Sequence, residues 1–200
     1  MMVVIMYIKY ETTNTIVIEK SKFLTFIKRV KTEQEYKDYL NEIRKKYHDA
    51  SHVCSACIIN NIVRSSDDGE PSGTAGAPIL NVLSKNNLNE VACLVVRYFG
   101  GIKLGAGGLI RAYSNSVSEC LKKSELVEEK TFNKYSLTLS YDLANKIEYY
   151  MKHETILLET KYENDITFIF CIKDEKQLLQ IKEFTKGIDP KIIGEIVLEV

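Results

Sequence analysis

Asp67, Asp68 and Glu70 set three carboxylates within four positions, and Arg97, Lys103 and Arg111 set three cations within fifteen. Close carboxylates can hold Mg²⁺ through one or two oxygens, or share a proton in acid and base work. Acidic residues also occupy turns simply because their side chains accept from nearby backbone amides. A third reading joins the two groups: Asp67 or Asp68 pairs with Arg97 or Arg111 and fixes one loop against the other. All three readings stand on residue type and spacing. The carboxylates lie in SSDDGEPSGTAGAP, residues 65 to 78, and the cations in RYFGGIKLGAGGLIRAYS, residues 97 to 114. Eight of the ten glycines fall in these two runs, and glycine collects where the backbone takes positive φ or approaches another group closely. Two such runs around a short apolar segment predict one shaped face.

The second run leads from an apolar stretch through Gly100, Gly101, Lys103, Gly105, Gly107 and Gly108 into a helical pattern. Free amides at a helix N-terminus suit an anion, and Lys103 adds a point charge. The run is neither a P-loop, since no Lys follows its last glycine, nor GxGxxG, since position 110 is Ile. Close packing of helix on sheet is the alternative use of the same glycines. Tyr98, Phe99 and Tyr113 beside the cations offer stacking surfaces for bases, or core. His48, His52, Cys54 and Cys57 suggest zinc by type. Their spacing argues against it, because on a strand 52 and 54 face one way and 57 the other.

The elements that must carry these loops follow from periodicity. Ile16 to Ile18 and Phe23 to Val30 read as strands joined at a Lys-Ser-Lys turn, and Thr32 with Glu35 is a capping box opening a helix with Tyr36, Tyr39, Leu40, Ile43 and Tyr47 on one face. His52 to Ile59 alternates as a strand, Asn60 and Asn61 offer a turn, and Ala75 to Leu83 reads as a short helix. Val91 to Tyr98 is apolar throughout and predicts a strand buried on both faces, followed by a helix over Leu109 to Lys123. From about Thr131 the order becomes strand Tyr135 to Ser140, helix Asp142 to His153, strand Ile156 to Tyr162, strand Ile166 to Ile172, a helix capped by Asp174 and Gln177 and stopped at Gly187, and strand Ile192 to Val200. That is βαββαβ, a ferredoxin-like order, and it places a boundary in the charged segment 124 to 130.

Composition bounds the rest. Two hundred residues at 45% apolar content can bury one or two cores, and 27 basic against 27 acidic residues leave no bulk field to recruit a polyanion or an anionic membrane. The opening MMVVIMYIKY is too short in apolar residues for a membrane span and lacks a signal-peptide pattern. A cytoplasmic protein is expected. Five cysteines lying mostly in apolar runs fit reduced, buried thiols.

In SSDDGEPSGTAGAPIL and VVRYFGGIKLGAGGLIRAY the chain closely resembles the IMPACT and YigZ family, over roughly residues 14 to 122, and RKKYHDASHVC is similar to the family's segment before its central strand. The resemblance implies an α+β protein of two domains. One, over 1–127, is an α/β sandwich like the second domain of a small-subunit ribosomal protein, also seen in GHMP kinases. The other, over 128–200, is a ferredoxin-like domain similar to those of elongation factor G. It further implies a non-enzymatic, translation-associated regulator that binds RNA, the ribosome or a translation-factor partner, since the family's eukaryotic members regulate translation initiation. The family motif maps onto Asp67, Asp68, Glu70, Ser72, Gly73 and Thr74, and onto Arg97, Tyr98, Gly100, Gly101, Lys103, Gly105, Gly107, Gly108 and Arg111. Ala77 stands where many members have a basic residue. The resemblance transfers no catalytic residue, metal or cofactor. The alternative is an enzyme or sensor that takes a small phosphorylated ligand or nucleotide at the glycine-rich loop.

Overall fold

The structure, a computed structural model, describes residues 4–200. The chain divides after Glu128 into two compact units.

The first unit contains β1 (Tyr7–Ile8), β2 (Thr12–Ile18), β3 (Ser21–Arg29), α1 (Glu33–Lys46), β4 (His52–Ile59), β5 (Ile62–Ser66), α2 (Gly76–Lys85), β6 (Val91–Tyr98), α3 (Gly105–Leu121) and β7 (Leu126–Val127). Five strands form an antiparallel sheet in the order β2-β3-β6-β4-β5. Side chains alternate across a strand, so β6 sends Ala92, Leu94 and Val96 to one side and Val91, Cys93 and Val95 to the other. The first set packs against Tyr36, Tyr39 and Ile43 of α1, and the second joins the core built with α2 and α3. The unbroken apolar run of β6 therefore reflects a sheet covered on both faces. β1 and β7 pair with each other beside it.

Several boundaries depart from the sequence reading for identifiable reasons. The first hairpin turns at Glu19 and Lys20, both at positive φ (44° and 63°), and not at Lys-Ser-Lys. Ser21 is instead the fully buried first residue of β3. β5 was not expected, because a five-residue edge strand ending Arg-Ser-Ser carries little alternation. α3 starts four residues before Leu109, inside the glycine run, and Gly108 fits there because a Cβ would stand 3.0 Å from that of Leu104. The capping box at α1 is present in modified form: Thr32 accepts from the Glu35 amide, while the Glu35 carboxylate accepts from Lys31.

The second unit runs β8 (Glu129–Leu139), α4 (Tyr141–His153), β9 (Ile156–Tyr162), β10 (Ile166–Cys171), α5 (Lys176–Phe184) and β11 (Lys191–Glu199), with sheet order β11-β8-β10-β9, all neighbours antiparallel. This is the ferredoxin-like arrangement. Leu137, Leu139, Phe168 and Phe170 pack against Ala144, Ile147 and Met151 of α4 and Ile181 of α5. β8 begins six residues before Tyr135 because β11 pairs with it from Glu129 onward.

Candidate functional site

Each carboxylate of the first glycine-rich loop is held by a different partner. Asp67 accepts from the amides of Gly73 (2.8 Å), Ala75 (2.9 Å) and Gly76 (2.8 Å), so it sits as an internal anion at the N-terminus of α2, where the first amides lack helical partners. Burial works to raise its pKa, yet these three amides together bring it below the ordinary value. Asp68 takes Arg44 on one oxygen and the Val53 amide on the other, each at 2.7 Å. Glu70 is 8% exposed, and its Oε1 accepts from Arg97 at 2.6 Å and from the Tyr113 hydroxyl at 2.7 Å.

Arg97 is the counterpart. It leaves β6 on the α2 and α3 side, is 4% exposed, and reaches Ser21 Oγ with Nη2 at 3.3 Å. Ser21 also accepts from the Gly100 amide at 3.2 Å, so a residue whose type suggests a turn links the second loop to the first hairpin. Arg97 Nε is buried with no hydrogen-bond partner among the described residues. His52 Nδ1 lies 2.8 Å from the Asp68 carbonyl, which can only accept, so that nitrogen carries the proton; Nε2 lies 3.9 Å from Glu70 Oε2. Burial pushes the Cys54 thiol up to about 12, and burial with the adjacent Cys54 and Glu70 holds Tyr113 protonated. Cys54 lies 3.2 Å from the Tyr113 hydroxyl, which closes a buried polar network.

The two loops meet here. Glu70, Pro71, Arg97, Phe99, Lys103, Leu104, Gly105, Ala106 and Leu109 line one cavity of about 320 Å³. On the other side of Lys103 a groove of about 860 Å³ follows α3, with Arg111 and Asn115 on one wall and Ile18 and Glu19 of the hairpin on the other. Lys103 and Arg111 are exposed, and neither pairs with a carboxylate among the described residues. The first turn of α3 has no acidic residue and no side-chain cap. Gly101 and Gly105 take positive φ in open space, whereas Gly100 packs so tightly on the hairpin that a Cβ would meet Lys20 C at 2.0 Å.

These positions correct several expectations. The ion pair between the loops is Glu70 with Arg97; neither Asp67 nor Asp68 pairs with Arg97 or Arg111. Asp68 points away from the cavity towards α1. Tyr98 belongs to the opposite sheet face, where it packs with the α1 core and donates to Asp49 at 2.8 Å. Tyr113 is core, edge-on to Phe23, and of the three aromatics only Phe99 lines the cavity. Thr74 is buried and donates to the Pro71 carbonyl, Ser72 is exposed, and Gly107 lies exposed in the first turn of α3. No group of three His, Cys, Asp or Glu among the described residues could hold a metal ion. All five cysteines are free and buried. Ser21, Arg44, His52 and Cys54 join the site without having been expected there. The alternation of β4 does put His52 and Cys54 on one side, but nothing local indicates that Glu70 lies opposite them.

A sequence model of the Impact N-terminal domain matches residues 19–121, which span β3 to α3 and contain both loops. The chain belongs to the IMPACT family. It is 43% identical over 173 residues to the IMPACT family member YvyE of Bacillus subtilis, covering 84% of this chain and 80% of that protein. It is 35% identical over 136 residues to the IMPACT family member YigZ of Escherichia coli, covering 66% and 67%. A crystal structure of a hypothetical protein superposes with a TM-score of 0.61 at 26% identity, over 100% of this chain and 98% of that one, which supports the two-domain α+β architecture. No helix among the described residues is long and apolar enough to cross a membrane.

Proposed function

We propose that this protein is a binding module and not a catalyst, acting with the translation machinery by engaging RNA, the ribosome or a translation-factor partner along the α3 face of its first unit. The observation that carries the reading is the contrast of charges around the loops. Asp67, Asp68 and Glu70 are each committed to backbone amides or arginines of the same unit. Lys103 and Arg111 are exposed and line one groove. Carboxylates held in that way position the loops, and leave the neighbouring cations to face outward. Glu19 on the opposite wall lowers the groove's net charge, so the contact is local and suits a few phosphates or acidic side chains. Translation enters through family membership and the resemblance to translation regulators.

Cosedimentation with ribosomes tests the proposal. Wild type is expected in the ribosomal pellet at low salt, with Lys103→Glu and Arg111→Glu shifted to the supernatant and binding weakened as salt rises. Equal pelleting of all three proteins, or of none, would remove the α3 face from consideration.

A further inference from the structure

The second unit sorts its charges by face. Over residues 129–200 it carries 10 lysines against 13 aspartates and glutamates, so as a whole it repels a polyanion. Its sheet does the reverse locally. Tyr135, Leu137 and Leu139 of β8 enter the core beneath α4 and α5. Successive side chains alternate across a strand, so Lys130, Phe132, Lys134, Ser136 and Thr138 stand on the other face, which no helix of this unit covers. Cross-strand pairing extends that face: Lys191 of β11 lies opposite Ser136, Thr167 of β10 opposite Thr138, and Lys161 of β9 opposite Thr167. All four lysines in the strands of this unit therefore share the helix-free face. Of the four strand glutamates, Glu129, Glu195 and Glu199 fall on the helix side, and Glu159 alone joins the lysines, 3.9 Å from Lys161.

The other groups on this face narrow the ligand. Lys130, Lys161 and Lys191 are exposed and Lys134 is half-buried. Between Lys134 and Lys161 lie the hydroxyls of Ser136, Thr138 and Thr167, the last two 2.9 Å apart, and hydroxyls of this kind donate to phosphate and sugar oxygens. Phe132 is half-buried between Lys130 and Lys134 and leaves part of its ring for a base to stack on. An acidic helix fits less well, because it seeks an apolar groove where this face has hydroxyls. A duplex fits less well too, because its bases are already stacked and paired. We infer that the helix-free sheet face of the second unit binds single-stranded nucleic acid, with backbone phosphates on Lys130, Lys134, Lys161 and Lys191 and a base against Phe132. The strand can be RNA or DNA, which share this backbone charge. The inference concerns a different unit from the α3 face and does not rest on the reading of that face.

Fluorescence anisotropy on the full chain tests it, with labelled oligouridine and oligodeoxythymidine of about 15 nucleotides and a duplex of the same length. Wild type should bind one or both single strands at least tenfold more tightly than the duplex, and which strand binds identifies the source. Four phosphate contacts should make log K fall with log salt at a slope of about −3. The variant carrying both Lys161→Glu and Lys191→Glu changes two exposed side chains, so its melting temperature should stay near that of wild type. It should bind at least tenfold more weakly, with the slope reduced in magnitude by about 1.4. Lys146→Glu with Lys176→Glu makes the same change of charge on α4 and α5 and should bind nearly as wild type does. No binding of either strand, equal binding of the duplex, equal loss in the two double variants, or competition by poly-glutamate as effective as that by unlabelled strand would each overturn the inference. Arg111→Glu in ribosome cosedimentation decides the α3 face separately, whatever the sheet does.

Discussion

Glu70 and Arg97 should be the most costly pair in the first unit to divide. Their charges meet at 2.6 Å with side chains only 3% and 5% exposed; Tyr113 also donates to Glu70, and Arg97 reaches Ser21. Removing one member of such a pair strands a charge in the interior and costs about 3 to 5 kcal/mol, against a total stability on the order of 5 to 15 kcal/mol for a domain. Glu70→Leu and Arg97→Met should therefore each bring the first unit close to unfolding. The double variant leaves no stranded charge. It should recover much of the loss, with Tyr113 still missing its acceptor at about 1 to 3 kcal/mol. The coupling energy from the cycle should exceed about 2 kcal/mol. Urea unfolding followed by circular dichroism measures the cycle, and hydrogen exchange in β6 assigns the affected transition to the first unit. Additive single effects, or a Glu70→Leu cost below about 1 kcal/mol, would refute the idea that this pair fixes one loop on the other.

Two further outcomes follow from the same geometry. Asp67→Asn should destabilise the first unit by about 1 to 2 kcal/mol, since it weakens three amide contacts at a helix start. Because the Asp67 pKa is lowered on folding, its contribution should be fully present above the ordinary carboxylate range and fade as pH falls through the folded value, so wild type and variant should converge in melts at acidic pH. Gly100→Ala must push the second loop off the hairpin, because its Cβ would lie 2.0 Å from Lys20 C; the expected loss is about 2 kcal/mol or more, and an unchanged melting temperature would contradict the close packing.

Most of the secondary structure was legible because its signals are local. Alternation along β4, the unbroken apolar run of β6 and the Thr32 cap of α1 each depend on residues within one turn or strand, and the clustering of glycines by itself marks the paired loops. The hairpin turn lies one step away from its expected place for an equally local reason: Lys-Ser-Lys is as polar as Glu-Lys, and only the sheet pairing of Ser21 with Ile18 distinguishes them.

The choice of partners among the charges was beyond the sequence. Asp67, Asp68 and Glu70 are near-equivalents in composition, yet one holds the start of α2, one faces Arg44 and one enters the interior beside Arg97. Which carboxylate goes where depends on backbone direction at Asp68, which takes φ of 45°, and Gly69, which takes 85°, and on the side of the sheet from which Arg97 leaves β6. Periodicity reports which face a residue shares with its neighbours along the chain; only packing β6 between β3 and β4 brings Ser21, His52, Glu70 and Arg97, distant in sequence, into one network.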